Sequence, residues 1–294
     1  MWFFVELLVN GILAGAIYAL IGLAFVVVYK ASRMINFALG ELVMFASKLV
    51  TAGLYVAGLG IAGAIGFGCA GMVALAVGFN RLVLRQLVGY PVIALIMITI
   101  GLGVILNAAA VFLFTGVPGA IPLPIPQEPI AIGGVLLTAD ELIAVALAIL
   151  CIAVVSWFFQ CSRTGVALRA IADDPQAAML VGIDISRHFT ITWAMAGVIC
   201  VVAGTLGTFI FGGGFGMVLV GLKVFPIVII GGLDSLPGVI LGAIVIGLLE
   251  SLVAGYIDAL VGGGFSHVAS YLVLVIVLCV RPYGLFGKPD IERV

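Results

Sequence analysis

Charged residues are scarce in this sequence. Of its 294 residues, 12 are Lys or Arg and 13 are Asp or Glu, which makes 9% charged, while 65% are hydrophobic. A soluble domain carries roughly a quarter of its residues as charged side chains, so this chain cannot cover a water-facing surface. The net charge of −1 gives no basic footprint for nucleic acid. The composition therefore predicts an integral membrane protein whose surroundings are membrane lipid and which has no nucleic-acid partner.

Residue types that carry catalysis or bind metal are also scarce. The two histidines, His188 and His267, stand far apart, and no H-E-x-x-H motif occurs. The five cysteines stand singly, without a C-x-x-C pair, so neither a disulfide framework nor a zinc site is indicated. No G-x-x-x-x-G-K-[ST] phosphate loop occurs, so this chain is not expected to hydrolyse ATP. The sequence predicts a protein that is not an enzyme and holds no cofactor.

The first 29 residues contain neither Lys nor Arg. A cleaved signal peptide begins with a basic segment, so this stretch is expected to be a retained first span.

Long apolar runs dominate the remainder, and a run of about 20 such residues crosses a bilayer as a helix. The runs predict an all-α, polytopic transmembrane bundle that forms a single domain over residues 1–294. We expect eight to ten spans, including broken or re-entrant segments, because Gly and Pro interrupt the runs near 37–59 and 218–254. The predicted spans are 7–29, 37–59, 62–80, 92–115, 141–160, 189–211, 218–233, 237–254 and 268–281.

The distribution of Lys and Arg between the spans predicts the orientation, because cytoplasmic loops are enriched in these residues. Segments 116–139 and 255–267 contain no Lys or Arg and are expected to face outward. The arginine-containing links and the C-terminal segment are expected to be cytoplasmic. An external N-terminus and a cytoplasmic C-terminus require an odd number of crossings.

One link collects an unusual share of the charge: residues 163–187 hold six of the 25 charged residues. A residue before proline leaves the α region, so a first helix is expected to stop near Asp173. Asp174 is suited to cap a second helix that begins at Pro175, and Gly182 is suited to the left-handed position after its end. The pattern predicts a compact cytoplasmic knuckle, with Ala177 and Ala178 as its contact face. The residues alone leave open whether it docks a partner or is only a loop.

A few polar residues interrupt the apolar runs, where ionisable groups are costly. Asn36 and Glu41 are predicted either to line a translocation path or to brace an irregular segment. Most polar residues inside apolar runs bond a neighbouring helix, but such residues are also candidates for the path. The full set of candidate path residues is Tyr18, Asn36, Glu41, Thr99 and Asn107.

Three further polar residues lie in the second half of the chain. Lys223 is expected to extend its ammonium group to the membrane interface rather than to pair inside the bundle. Asp234 is expected to cap or stabilise the turn GGLDSLPG, and Glu250 is expected to be interfacial.

Three segments resemble known permeases. The segment QAAMLVG, Gln176 to Gly182, resembles the EAA-then-glycine motif of binding-protein-dependent ABC importer permeases, with Gln where Glu is usual. Residues 10–45, which contain INFALGE, and residues 221–252, which contain GGLDSLPGVILG, resemble the two signatures of LivH-type permeases of branched-chain amino-acid ABC importers. Ribose-type sugar permeases share the broader fold, but the GG-x-x-S-x-PG pattern favours the LivH type.

The resemblance implies an importer that moves branched-chain or other hydrophobic amino acids into the cell by alternating access in the bacterial inner membrane. It implies a LivM-like second permease, two ATPase subunits that hold ATP and Mg, and an external substrate-binding protein. It also implies that the loop at about 161–188 docks into an ATPase and couples its closure to the membrane domain. The coupling residues would be Arg169, Asp173, Asp174, Pro175, Gln176, Ala177, Ala178 and Gly182.

Other functions stay open from the sequence. The same transporter type can carry urea or short amides, aromatic or other carboxylates, or sugars. A secondary transporter or channel acting alone also uses broken helices, although it has no need of a motor-docking loop. An intramembrane enzyme is disfavoured because no nucleophile–base pair or metal cluster can be assembled.

Overall fold

The computed structural model describes residues 2–86, 92–122, 130–132, 135–261, 263–281 and 284–286. These residues form a helical bundle, which confirms the predicted all-α polytopic class. The α-helices are α1 (Trp2–Ser32), α2 (Leu39–Tyr55), α3 (Ile61–Leu82), α4 (Val92–Phe114), α5 (Ala139–Cys161), α6 (Arg163–Asp173), α7 (Pro175–Leu180), α8 (Ile185–Phe211), α9 (Met217–Leu222), α10 (Val224–Gly231), α11 (Leu236–Tyr256), α12 (Asp258–Val261) and α13 (Phe265–Val280). Short 3₁₀ turns lie at Leu84–Gln86 and Gly214–Gly216.

Within the described part of the chain, seven helical segments are long and apolar enough to cross a membrane. They are α1, α3, α4, α5, α8, the segment Gly214–Gly231 that contains α9 and α10, and α11. Helix α13 is a shorter apolar helix, and α2 is a buried helix of 17 residues. Together these nine segments lie where the nine spans were predicted. The predicted span 218–233 is interrupted at Lys223, between α9 and α10.

Helix α1 is the centre of the bundle. Every side chain from Ile17 to Val28 is buried, and α1 packs against α5, α8, α10 and α11. A helix that is apolar on all sides is stable only when neighbours or lipid surround it completely. In α1 the neighbouring helices supply these surroundings, so α1 forms the core.

Glycines allow α1 and α11 to approach closely. A methyl group at Gly11 would lie 2.8 Å from Leu248 Cα, and one at Gly247 would lie 2.3 Å from Gly11 O. Gly15 lies against Ile244 in the same contact. Small residues let helix backbones meet where van der Waals packing drives association in lipid. Packing of this kind is what the Gly11–Gly15 spacing predicts.

The described part of the 116–139 link contains a short antiparallel hairpin. Strand β1 (Ile130–Ile132) pairs with β2 (Val135–Leu137) in the register Ile130↔Leu137. Helix α5 begins immediately afterwards, where Glu141 Oε2 accepts a hydrogen bond from Thr138 N at 3.0 Å. Strand β2 also contacts α1, where Leu137 packs against Leu13.

Candidate functional site

The link between α1 and α2 enters the bundle without helical structure. Helix α1 ends at Ser32, Arg33 adopts a left-handed conformation with φ of 54°, and α2 begins at Leu39. Phe37 N donates a hydrogen bond to Thr99 Oγ1 at 3.2 Å. Thr99 is the eighth residue of α4, so the link reaches about 10 Å along that helix. Helix α2 therefore begins inside the bundle rather than at its end.

Asn36 and Glu41 lie at this buried start of α2. Asn36 Oδ1 accepts a hydrogen bond from Ala38 N at 3.0 Å. Glu41 and Ala38 both pack against Gly103 of α4. A methyl group at Gly103 would lie 3.2 Å from Glu41 Cδ and 3.6 Å from Ala38 Cα. Asn36 Nδ2 and Glu41 Oε2 are buried and find no hydrogen-bond partner among the described residues. The structure thus brings three of the predicted path residues, Asn36, Glu41 and Thr99, into one polar cluster.

The start of α2 also contacts the other interrupted helix. A methyl group at Gly40 would lie 2.8 Å from Val218 O, and one at Gly221 would lie 2.3 Å from Gly40 Cα. Non-helical backbone at membrane depth is tolerated only where protein buries it or where it lines a cavity. The two helix interruptions support each other through this backbone contact.

Tyr18 lies in a separate buried network. Its hydroxyl donates to Glu250 Oε2 at 2.7 Å, and Lys223 Nζ donates to Tyr18 OH at 2.8 Å and to Glu250 Oε2 at 2.6 Å. Ser270 Oγ hydrogen-bonds Glu250 Oε1. The network joins α1, the α9–α10 break, α11 and α13.

This network corrects two predictions. Lys223 does not extend to the interface, because its residue is 6% exposed and its ammonium group is paired. Glu250 is 8% exposed and is not interfacial. A buried charge requires a partner, and each of these residues supplies the other's partner. The sequence indicated this buried pair only through a single Lys and a single Glu in neighbouring apolar runs.

The remaining path candidate, Asn107, lies apart from both clusters. It is exposed on α4, four residues beyond Gly103. The structure therefore does not bring Asn107 together with Asn36 and Glu41.

An ion pair joins the two signature segments at the end of the bundle that carries α6 and α7, which we call the charged end. Arg33 Nη1 lies 2.7 Å from Asp234 Oδ2 and 2.8 Å from Asp234 Oδ1. The cap of α11 is Ser235, whose Oγ accepts from Gly238 N at 3.1 Å. Asp234 therefore does not cap α11; its carboxylate instead ties the GGLDSLPG turn to Arg33 at the end of the neighbouring helix α1.

The knuckle forms as its sequence predicts. Helix α6 ends at Asp173, and Asp174 Oδ1 accepts from Gln176 N at 2.9 Å and from Ala177 N at 3.0 Å. Pro175 occupies the first turn of α7, and Gly182 has a φ of 85° after its end. Local chain chemistry alone fixes this geometry.

Helix α6 is seated on the bundle. Its buried residues are Gly165, Leu168 and Ile171, and it packs against α1, α5 and α8. Gly165 has no room for a side chain, since a methyl group there would lie 2.5 Å from Phe159 O. Helix α6 is therefore packed as part of the bundle.

Helix α7 projects away from this seat. Gln176 and Ala177 are exposed, whereas Ala178 is buried at 3% exposure, so the predicted contact face is wrong at Ala178. The exposed apolar tip consists instead of Met179, Leu180 and Val181, at 55%, 88% and 76% exposure. These three residues follow QAA directly. Three apolar residues in a charged link could have indicated an exposed apolar tip from the sequence.

A cavity of about 660 Å³ separates the knuckle from the ion pair of the two signatures. Arg169 is exposed and donates to Gln160 O at 3.3 Å, and Asp173 is also exposed. Both line the cavity together with Arg33 and Asp234. Two of the predicted coupling residues, Arg169 and Asp173, therefore line the same cavity as the Arg33–Asp234 ion pair.

Comparison with known proteins gives consistent matches along the chain. Residues 7–280 match the family model described as branched-chain amino acid transport system / permease component. The high-affinity branched-chain amino acid transport system permease protein LivH of Escherichia coli strain K12 is 29% identical, covering 99% of this chain and 98% of the relative. The corresponding permease protein BraD of Pseudomonas aeruginosa is 28% identical with the same coverage. Among solved structures, a chain of PsaBC from Streptococcus pneumoniae in complex with Fab covers 93% of this chain, with 16% identity and a TM-score of 0.48.

Proposed function

The chain belongs to the family of branched-chain amino acid transport system permease components, and on that premise we propose that it is the membrane subunit of an ATP-driven ABC importer. It moves branched-chain or other hydrophobic amino acids into the cell by alternating access. Its partners are a LivM-like second permease, two ATPase subunits that hold ATP and Mg, and an external substrate-binding protein.

The observation that carries this proposal is the arrangement of α6 and α7. Helix α6 is seated on α1 and α5, while the apolar tip of α7 is exposed outside the bundle. Leu180 is 88% exposed at the end of a helix whose start Asp174 caps. An exposed apolar tip on a rigid support suits insertion into a partner's cleft, where its burial stabilises the complex. Closure of that cleft would then move α1 directly.

The orientation follows from the same arrangement. If α2 and the shorter helix α13 are counted as crossings with the seven long apolar segments, the proposed number of crossings is nine. An odd number places the two chain ends on opposite faces. Helix α13 ends beside Arg281, and the arginine-containing links lie at the same end. That end is cytoplasmic by the positive-inside rule, so the ATPases bind there.

The cargo assignment is supported by the apolar interior and by the relatives, which are permeases of branched-chain amino acid transport systems. Two features distinguish this function from a secondary transporter acting alone, namely the seated knuckle and the relatives' membership in multi-component transport systems. The alternative cargoes are a neutral amide, a carboxylate or a sugar.

The test is purification from native membranes by an affinity tag, followed by mass spectrometry and reconstitution. We expect an ATPase, a second permease and a binding protein to co-purify, and uptake of L-leucine to require ATP. The variant Leu180→Asp should lose the ATPase, whereas Val166→Asp, which changes an exposed apolar residue of α6, should retain it. A chain that purifies alone and transports without ATP would contradict the proposal.

A further inference from the structure

We infer that the start of α2 holds the two charged groups of an amino acid as it crosses the membrane. The Glu41 carboxylate takes the ammonium group of the cargo, and the Asn36 amide together with the first N–H groups of α2 takes its carboxylate. This inference rests on the proposed function, because it concerns the passage of the same cargo.

Two unpartnered polar atoms give the site its chemistry. Asn36 is fully buried, with its Oδ1 bonded to Ala38 N and its Nδ2 donor free of partners among the described residues. Glu41 Oε2 is a buried acceptor without a partner in the same part of the chain. Buried polar groups without hydrogen bonds cost free energy, so their presence calls for a partner at another stage of the cycle. One donor and one acceptor match the two charged ends of an amino acid.

The N-terminus of α2 supplies further hydrogen-bond donors for the carboxylate of the cargo. No side chain caps α2 at Ala38, so the first N–H groups of this 17-residue helix point toward the link without a capping acceptor. The partial positive charge at a helix N-terminus favours an anion, and interrupted helices of transporters present such termini to substrate carboxylates. The Asn36 amide lies at this terminus, since its Oδ1 accepts a hydrogen bond from Ala38 N.

The depth of the site fits a substrate position. Glu41 and Ala38 converge on Gly103, which is the twelfth of the 23 residues of α4. The polar cluster therefore lies level with the middle of a membrane-spanning helix, where transporters bind their cargo. Any side chain at Gly103 would press against the Glu41 carboxylate, so glycine allows that group to pack directly against α4.

The surroundings of the cluster favour an amino acid with an apolar side chain. Phe37 stacks on Phe225 with ring centroids 4.8 Å apart, and Leu102 and Leu106 are buried on the facing side of α4. A sugar would leave several hydroxyl groups unpaired against such walls. A carboxylate without an ammonium group would be repelled by Glu41. Both features select amino acids over the other cargo classes.

The test compares variants of the complete transporter in liposomes, with ATP inside and loaded binding protein outside. Glu41→Gln should lower the maximal rate of radiolabelled L-leucine uptake by about tenfold or more, since a charge-assisted hydrogen bond is lost. The ATPase activity stimulated by the loaded binding protein should persist in this variant. Glu41→Asp keeps a carboxylate and should recover part of the uptake. Glu6→Gln, near the far end of α1, serves as the matched control and should behave as wild type.

A direct binding measurement separates recognition from structural support. Saturation-transfer NMR on the permease complex in nanodiscs compares leucine with 4-methylpentanoate, which lacks the ammonium group, and with 3-methylbutylamine, which lacks the carboxylate. Leucine should give the strongest signal in the wild type, and Glu41→Gln should reduce it to the level of 4-methylpentanoate.

The outcomes distinguish this inference from the function on which it rests. If Glu41→Gln transports leucine at the wild-type rate, the inference is wrong and the importer function stands. The inference is also wrong if Glu41→Gln and Glu41→Asp lose uptake and ATPase activity together, because Glu41 is then only a brace. A wild-type complex that takes up neither leucine, isoleucine nor valine would overturn the proposed function and this inference with it.

Discussion

Lys223 Nζ lies 2.6 Å from Glu250 Oε2 inside the bundle, and the two side chains are only 8% and 10% exposed. Lys223 occupies the break between α9 and α10, whereas Glu250 belongs to the continuous helix α11. Tyr18 from the central helix bonds both groups. The pair therefore fixes the interrupted helix against two uninterrupted ones, and its two charges depend on each other.

Removal of one member of this pair should destabilise the protein more than removal of both. Lys223→Met alone or Glu250→Met alone leaves a buried charge without its partner, which costs about 3–5 kcal/mol. The double variant should cost less than either single change, because no charge stays buried. Thermal unfolding of purified protein in detergent measures the three variants.

The exposed pair Arg33–Asp234 is the matched control for that experiment. Its side chains are 49% and 39% exposed, so Asp234→Asn should change the free energy of unfolding by about 1 kcal/mol or less. A double variant as unstable as the sum of the two single variants would show that the buried charges are not coupled.

The contact between the two helix interruptions should tolerate no added methyl group. Gly221→Ala would place its Cβ 2.3 Å from Gly40 Cα, so the backbones must separate, at a cost of about 1–3 kcal/mol. Gly66→Ala is the control, because nothing lies within 4 Å of its added methyl group on α3. Melting temperatures in detergent compare the two variants, and equal values would contradict the close packing.

The apolar tip of α7 should act in partner binding and not in folding. Leu180→Asp changes a side chain that is 88% exposed, so the melting temperature of the isolated permease should stay within about 2 °C of wild type. Retention of the ATPase on an affinity column should fall sharply. Val166→Asp, at 53% exposure on α6, should leave both properties unchanged. Loss of the ATPase in the Val166 variant as well would assign the effect to charge alone.

The left-handed residue after α7 should be sensitive to substitution. Gly182→Ala forces a side chain into a φ of 85°, which costs roughly 1–2 kcal/mol and loosens the end of α7. The ATPase rate of the reconstituted complex should fall while the helical bundle keeps its melting temperature. Gly78→Ala, in open space within α3, is the control and should not lower the rate. An unchanged rate for Gly182→Ala would mean that coupling does not require this turn.

Features determined by neighbouring residues along the chain were predictable from the sequence. Asp174, Pro175 and Gly182 set the knuckle through capping, ring geometry and left-handed backbone, all of which act within a few residues. The positions of the nine apolar segments followed from run length in the same way. The assignment of Asn36, Glu41 and Thr99 to a path stays a prediction, although the structure brings them together.

Features that depend on which helix faces which were not predictable from one sequence. Lys223 and Glu250 are 27 residues apart, and nothing local indicates that a helix break turns one toward the other. The same limit applies to Ala178, whose burial depends on the packing of α7 against α6 and α8, and to Asp234, whose partner lies 201 residues away. Long-range pairing decides each of these cases.

The central position of α1 has a consequence for how the protein is made. Helix α1 is synthesised first, yet its partners α8, α10 and α11 begin only at residues 185, 224 and 236. Lipid tails are as apolar as leucine, so a helix that is apolar on all sides can wait in the bilayer without exposing polar surface. Lys223 and Glu250 enter the membrane only 27 residues apart, which shortens the time that either charge is without the other. Of these helices, the one that tolerates lipid is therefore made before the segments that carry the buried charges.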